Sequence, residues 1–172
     1  GVSATQQFIL EDVPRKIKEY GKDTVVHGTN CGMQEALIKS ALDTGAIFPQ
    51  QCCPSPYHGY PGALGLKIPD DKKGDVAYLI EEIKKAVAEK GGTGRFSTWK
   101  VSMGMCFEEC GTEYAKAYLE GNTDGKADIA KMQELYSEYA GSPVELETWK
   151  DSSDPSKELP NYFITLMDYI TF

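Results

Sequence analysis

Apolar residues recur at helical spacing at both ends of the first half of the chain. Phe8, Ile9, Val13 and Ile17 give one apolar face to Ser3–Tyr20, which predicts a helix that Gly21 stops. Ser3 with Gln6 reads as a capping box, and Pro14 predicts a kink or a second start capped by Asp12. Val76, Leu79, Ile80, Ile83 and Val87 form one stripe of a helix over Asp75–Lys90, with acids at its start and Gly91-Gly92 at its end. Between these lies Gly32–Leu42, helix-like and closed by Gly45. Further helices are predicted over about residues 104–119 and 127–139 by the same periodicity.

Short β-branched or aromatic runs separate the helices. Thr24-Val25-Val26, Ala46-Ile47-Phe48, Ala63-Leu64-Gly65-Leu66 and Arg95–Trp99 read as strands, with Phe96 and Thr98 alternating against Ser97 and Trp99. Residues 144–147 and 162–167 add two more, around a polar break at Asp151–Lys157, and the tail to Phe172 is expected to be a strand or to reach away. Strands alternating with helices predict one α/β domain over residues 1–172. Its Rossmann-like, mostly parallel sheet would hold about four to five strands and be flanked by helices.

In such sheets ligands bind beyond the carboxyl ends of the strands. Two turns fall there. His27-Gly28-Thr29-Asn30-Cys31 runs from a strand into a helix start, where free N–H groups and the positive end of the helix dipole meet anions and polar groups. Thr29, Asn30, Cys31 and Gln34 are therefore candidate ligand contacts, although Asn30 is equally a plain helix cap. The second turn, Pro49–Gly62, has four prolines from Pro49 to Pro61, yet carries Cys52, Cys53, Ser55, Tyr57, His58 and Tyr60 in place of linker charges. A long loop of that composition is expected to be ordered and functional. Ser55, Tyr57 and His58 join the candidate set, with Trp99 for stacking and Arg95 for clamping an anion.

The alternatives differ in strength. His27, Cys31, Cys52, Cys53, His58, Cys106 and Cys110 could ligate a metal, but no pair has a recognised ligand spacing, and no cofactor is expected. Five cysteines are not a disulfide framework in a chain of 172 residues. Cys31 in the first turn of a helix could act as a nucleophile against Cys52 or Cys53, and Thr29-Asn30-Cys31 resembles the first motif of cofactor-independent amino-acid racemases. The second racemase motif, Cys-Thr-His after a strand, is missing. Gly91-Gly92-Thr93-Gly94-Arg95 lacks the Lys and Ser/Thr of a P-loop, and Asn122–Asp128 lacks the bidentate acid of a calcium loop.

Composition is that of a globular protein, with 41% hydrophobic and 26% charged residues. The formal net charge of −8 argues against a nucleic-acid footprint. No apolar run approaches the roughly 20 residues a membrane span needs, so direct membrane insertion is not expected.

Gln6–Pro14, Gly28-Thr29-Asn30-Cys31, Cys52-Cys53-Pro54-Ser55-Pro56-Tyr57-His58-Gly59 and Gly91–Phe96 together resemble an uncharacterised bacterial lipoprotein family, a domain of unknown function related to type I periplasmic binding proteins. The resemblance implies two Rossmann-like lobes closing on a ligand. The chain would be the C-terminal part: most of one lobe plus return segments, with a signal peptide and a first lobe ahead of Gly1 in the parent. An exposed lobe face would then invite homodimerisation. The implied function is an extracytoplasmic solute-binding component of an ABC-type importer, anchored by an N-terminal lipid. It would bind a small polar molecule, dock on a permease and do no chemistry. Two alternatives stay open: a cysteine-dependent racemase or isomerase using Cys31, and a ligand-sensing domain of a transcription regulator.

Overall fold

The computed structural model describes residues 1–49 and 56–172. The chain packs as two compact units, Gly1–Thr98 with Tyr169–Phe172, and Trp99–Asp168. Among the described residues no helix is long and apolar enough to cross a membrane.

In the first unit, α1 (Val2–Tyr20) buries Ile9, Val13 and Ile17, spaced four apart, and packs against α2 (Gln34–Thr44). α2 is apolar over most of its surface, burying Ala36, Leu37, Ile38, Ala41 and Leu42. It stops at Gly45, whose left-handed conformation closes its N–H on the carbonyls of Ala41 and Leu42. α3 (Tyr60–Leu64) and α4 (Val76–Glu89) complete the helices, α4 contributing Ile83 and Val87. Asp75 caps α4 by accepting the Tyr78 N–H at 3.0 Å. Phe48, Tyr60, Phe96 and Phe172 fill the centre. Ring centroids lie 6.1 Å apart for Phe48–Phe96, 6.5 Å for Phe48–Tyr60 and 5.0 Å for Tyr60–Phe172. Each such ring is worth roughly 1.5–3 kcal/mol when removed from water.

Extended segments lie beside this core in the expected order, but they are very short. Val26 N–H donates to Ile47 O at 2.9 Å, Ile47 N–H to Thr24 O at 3.0 Å, Phe48 N–H to Arg95 O at 2.9 Å and Ser97 N–H to Phe48 O at 3.1 Å. These make isolated parallel bridges, Val25 with Ile47 and Phe48 with Phe96. β1 (Ser97–Trp99) pairs with β4 (Tyr169–Thr171), and Phe172 N–H donates to Phe96 O. The chain is mixed α/β, and the expected parallel Rossmann-like sheet is not formed among the described residues. The reason is local. Gly21 and Gly28, Gly45 and Pro49, and Gly94 bound the segments within a few residues, leaving room for one or two bridges each.

Other expectations are corrected. Where a strand was expected at Ala63–Leu66, Ala63 and Leu64 end α3, which Pro61 opens and a left-handed Gly65 closes, and Leu66 follows it. Pro14 does not start a second helix: α1 runs through it, with Ile9, Val13 and Ile17 on one buried face. Ser3 and Gln6 form no capping box, since α1 begins at Val2 and Gln6 bonds elsewhere.

In the second unit, α5 (Met103–Leu119) and α6 (Ile129–Ala140) pack together, and α6 lies on the hairpin of β2 (Val144–Lys150) and β3 (Glu158–Met167). β2 and β3 are antiparallel, with Val144 opposite Met167 and Leu146 opposite Thr165, and an irregularity between Thr148 and Trp149. Ala140, Val144 and Leu146 form the buried cluster, lined by Ile129, Met132, Tyr136 and Phe163. The polar break of the sequence makes the hairpin's turn, where Asp151 N–H donates to Lys157 O.

Candidate functional site

The turn at Thr29–Met33 is built from its own side chains. Asn30 sits in extended backbone and its Oδ1 accepts the Gly32 N–H at 2.9 Å, opening a 3₁₀ turn over Cys31–Met33 that leads into α2. The helix therefore starts at Gln34, two residues later than its sequence suggests. Gln6 Nε2 reaches across from α1 to Gly32 O at 3.0 Å and fixes the turn from outside. Thr29 Oγ1 lies 4.0 Å from Met33 Sδ. Thr29 and Asn30 are exposed, Cys31 is half-buried, and Gln34 is 2% exposed.

The described part of the second loop meets this turn. Thr98, buried in β1, donates its hydroxyl to Pro56 O at 2.6 Å and pins the loop. Gly59 has φ +85°, and a Cβ there would stand 2.7 Å from Gln34 Cβ and 3.3 Å from Glu35 N. Glycine is required twice over, for conformation and for the close approach of the loop to the first turn of α2. Tyr57 is buried, which pushes its hydroxyl above its ordinary pKa, while His58 is exposed beside it. Glu35, Tyr57, His58, Gly59, Pro61, Gly62 and Leu79 line an open depression of about 530 Å³.

The structure thus brings Gln34, Tyr57 and His58 to one place and carries Thr29, Asn30 and Cys31 on the turn immediately before it. Ser55, with Cys52 and Cys53, lies outside the described residues. Trp99 ends β1, one residue beyond Thr98. Arg95 lies at the other end. Its Nε donates to Gly45 O at 2.7 Å, and one Nη donates to Lys22 O at 2.5 Å and Asp23 Oδ1 at 2.9 Å. Those partners precede the strand segments, whereas the candidate turns follow them. Arg95 ties the segment beginnings together and is separated from the other candidates by the length of the strands.

Sequence reasoning missed Thr98, Glu35, Gly59 and Gly62. Thr98 had a signal: a hydroxyl at the inward position of an alternating strand must find a buried partner. Glu35 was hidden by Lys39 four residues on, a spacing that ordinarily marks a solvated ion pair. The depression offers a carboxylate, an imidazole, an aromatic wall and the Leu79 side chain, which suits orientation of a small polar molecule.

Two cysteines belong to the second unit. Cys106 and Cys110 are both buried on α5 with Sγ atoms 3.9 Å apart, and Cys110 Sγ lies 3.6 Å from Leu135 O. Burial pushes the Cys106 thiol up to about 12, so it stays protonated. Among the described residues no group of three His, Cys, Asp or Glu is placed to hold a metal.

Residues 1–97 match the model of a family described as a protein of unknown function, DUF3798. No curated protein matches the sequence. The fold is similar to the crystal structure of a candidate transcriptional regulator from Clostridium difficile 630, with 22% identity and a TM-score of 0.77 over 97% of this chain. The chain spans 46% of that one, about half its length.

Proposed function

The chain belongs to the DUF3798 family through residues 1–97, which carry all of the candidate site but Thr98 and Trp99, and from that premise we propose that it binds a small polar ligand at this site without chemistry of its own. The observation that carries the reading is the pinned loop: the Thr98–Pro56 bond and the Gly59–Gln34 approach hold Tyr57 and His58 against the start of α2. A pre-formed depression with few polar groups orients a ligand at low entropic cost. In the parent protein this is the solute-binding component of an ABC-type importer, extracytoplasmic and held by an N-terminal lipid, with a periplasmic-binding-protein-like second lobe. The exposed Tyr162, Ile164 and Leu166 of β3 are the surface for a second copy.

A second reading is a ligand-sensing domain of a transcription regulator. It is favoured by the structural neighbour, which is described as a candidate of that kind. Both readings use the same site and differ in the partner that reads it.

The test is thermal shift and calorimetry against sugars, nucleosides and amino acids. A ligand at about 100 times its Kd raises stability by roughly 2.7 kcal/mol through mass action. His58→Ala, an exposed change that leaves the fold intact, is expected to weaken binding at least tenfold, while Cys31→Ser leaves it within twofold. Failure of every solute to bind, or a His58→Ala variant as tight as wild type, overturns the reading. Co-purification with a permease or with a DNA-bound complex then separates transport from sensing.

A further inference from the structure

A second depression, of about 480 Å³, lies beside the first and is lined by Gln6, Leu10, Glu35, Lys39, Gly62, Leu64 and Lys90 among others. The two share Glu35 and Gly62, so they meet around that contact. Glu35 and Lys39 stand four apart on α2, with the acid on the N-terminal side, an orientation that favours an ion pair. Among the described residues no such pair forms, and neither Lys39 nor Lys90 has a carboxylate partner. The Glu35 carboxylate is instead turned onto α3, where a Cβ on Gly62 would collide with it. Gly62 therefore gives the carboxylate its resting place between the two depressions. One side of it carries His58, Tyr57 and Leu79; the other carries two ammonium groups with Leu10 and Leu64.

Resting on the binding reading above, we propose that the ligand is a small zwitterion, its ammonium on Glu35, its carboxylate toward Lys39 and Lys90, and its apolar body beside Tyr57, His58 and Leu79. Neutral sugars and nucleosides leave three charges unused. A compact anion is drawn to the lysines but repelled by Glu35, and a simple amine meets the reverse.

The test is calorimetry with the twenty amino acids, followed for any binder by its deaminated acid and its decarboxylated amine; for L-phenylalanine these are 3-phenylpropanoate and 2-phenylethylamine. The zwitterion is expected to bind at least tenfold tighter than either analogue. Glu35→Gln removes that advantage over the acid, and the double variant Lys39→Gln, Lys90→Gln removes it over the amine. Gly62→Ala displaces the carboxylate and reproduces the Glu35→Gln pattern, with circular dichroism confirming the fold. If a sugar such as glucose or a nucleoside such as adenosine binds and Glu35→Gln leaves its affinity unchanged, the zwitterion proposal fails and the binding reading stands. If no amino acid, sugar or nucleoside binds, both fail.

Discussion

Residues 1–98 are joined mainly by apolar burial. Phe48, Tyr60, Phe96 and Phe172 meet at the centre of a cluster that takes side chains from α1, α2, α3 and α4. Residues 99–168 bury far fewer, and side chains there hold backbone instead. Gln133 Oε1 accepts the Leu146 N–H at 2.9 Å, Ser137 Oγ the Val144 N–H at 3.0 Å, and the Tyr114 hydroxyl the Asp128 N–H at 2.7 Å. The few long-range polar bonds of the first unit do something different. Gln6, Thr98 and Arg95 fix turns and segment ends around an already packed centre. In one unit polar groups place loops; in the other they hold a strand and the start of a helix. A binding site benefits from the first arrangement, because loops can carry ligand contacts while the core supplies rigidity.

The contrast is broken most directly at Phe48. Phe48→Ala removes a ring that is 0% exposed and is expected to cost about 3–5 kcal/mol. Urea denaturation reads the loss, and amide exchange locates it in residues 1–98 while α6 and the hairpin keep their protection. Equal loss of protection in both units would show a single cooperative core and end the comparison.

Arg95→Met is next, at about 2 kcal/mol for charge-assisted bonds to carbonyls left without donors. It sharpens the division of labour, because ligand affinity is expected to hold within threefold when measured below the melting temperature. A loss of affinity larger than the loss of stability would return Arg95 to the site.

How much of this was legible in the sequence follows from the same physics. The stripe of α4 and the faces of α1 and α2 were readable because helical periodicity is local and repeated over several turns. The two turns were expected at one end because each follows a strand segment; among the described residues the approach of Gly59 to Gln34 is what joins them. The sheet was misjudged because alternation says where extended backbone starts and not how far it runs; the bounding glycines and Pro49 cut each segment short. Arg95 was chosen for its chemistry, yet its partners Lys22 and Gly45 are carbonyls, which leave no mark in a sequence. The loss of the Ala63–Leu66 strand has the same origin: four small or apolar residues fit either state, and Pro61 with Gly65 decided for the helix.

Gln133→Ala probes the second unit. It leaves the Leu146 N–H without its acceptor and is expected to cost about 1 kcal/mol. Exchange at Leu146 and its neighbours in β2 should quicken while the first unit is unchanged. No local change would mean that the hairpin is held by Val144 and Leu146 alone.

The smallest effect is at Asp128, and it is visible only against pH. Its carboxylate accepts the Asp124 N–H at 2.8 Å and the Lys131 N–H at 3.0 Å, and these bonds, the first the larger, hold its pKa below the ordinary 3.8. A carboxyl depressed on folding stabilises the fold above its unfolded pKa. That contribution is lost as pH falls through the folded value, because the unfolded chain takes up the proton first. Asp128→Asn keeps a cap oxygen and removes only the charge. Wild type and variant should therefore diverge above about pH 4, where the wild-type carboxylate is ionised in both states, and converge toward pH 2. Salt narrows the gap, since the half-buried group is still reached by solvent. Thermal melts of both proteins from pH 2 to 7 check this, with exchange at Asp124 and Lys131 as the local readout. A gap that stays constant across the range would show that the carboxylate acts only as a hydrogen-bond acceptor, which would make the clasps of the second unit as insensitive to pH as the apolar core of the first.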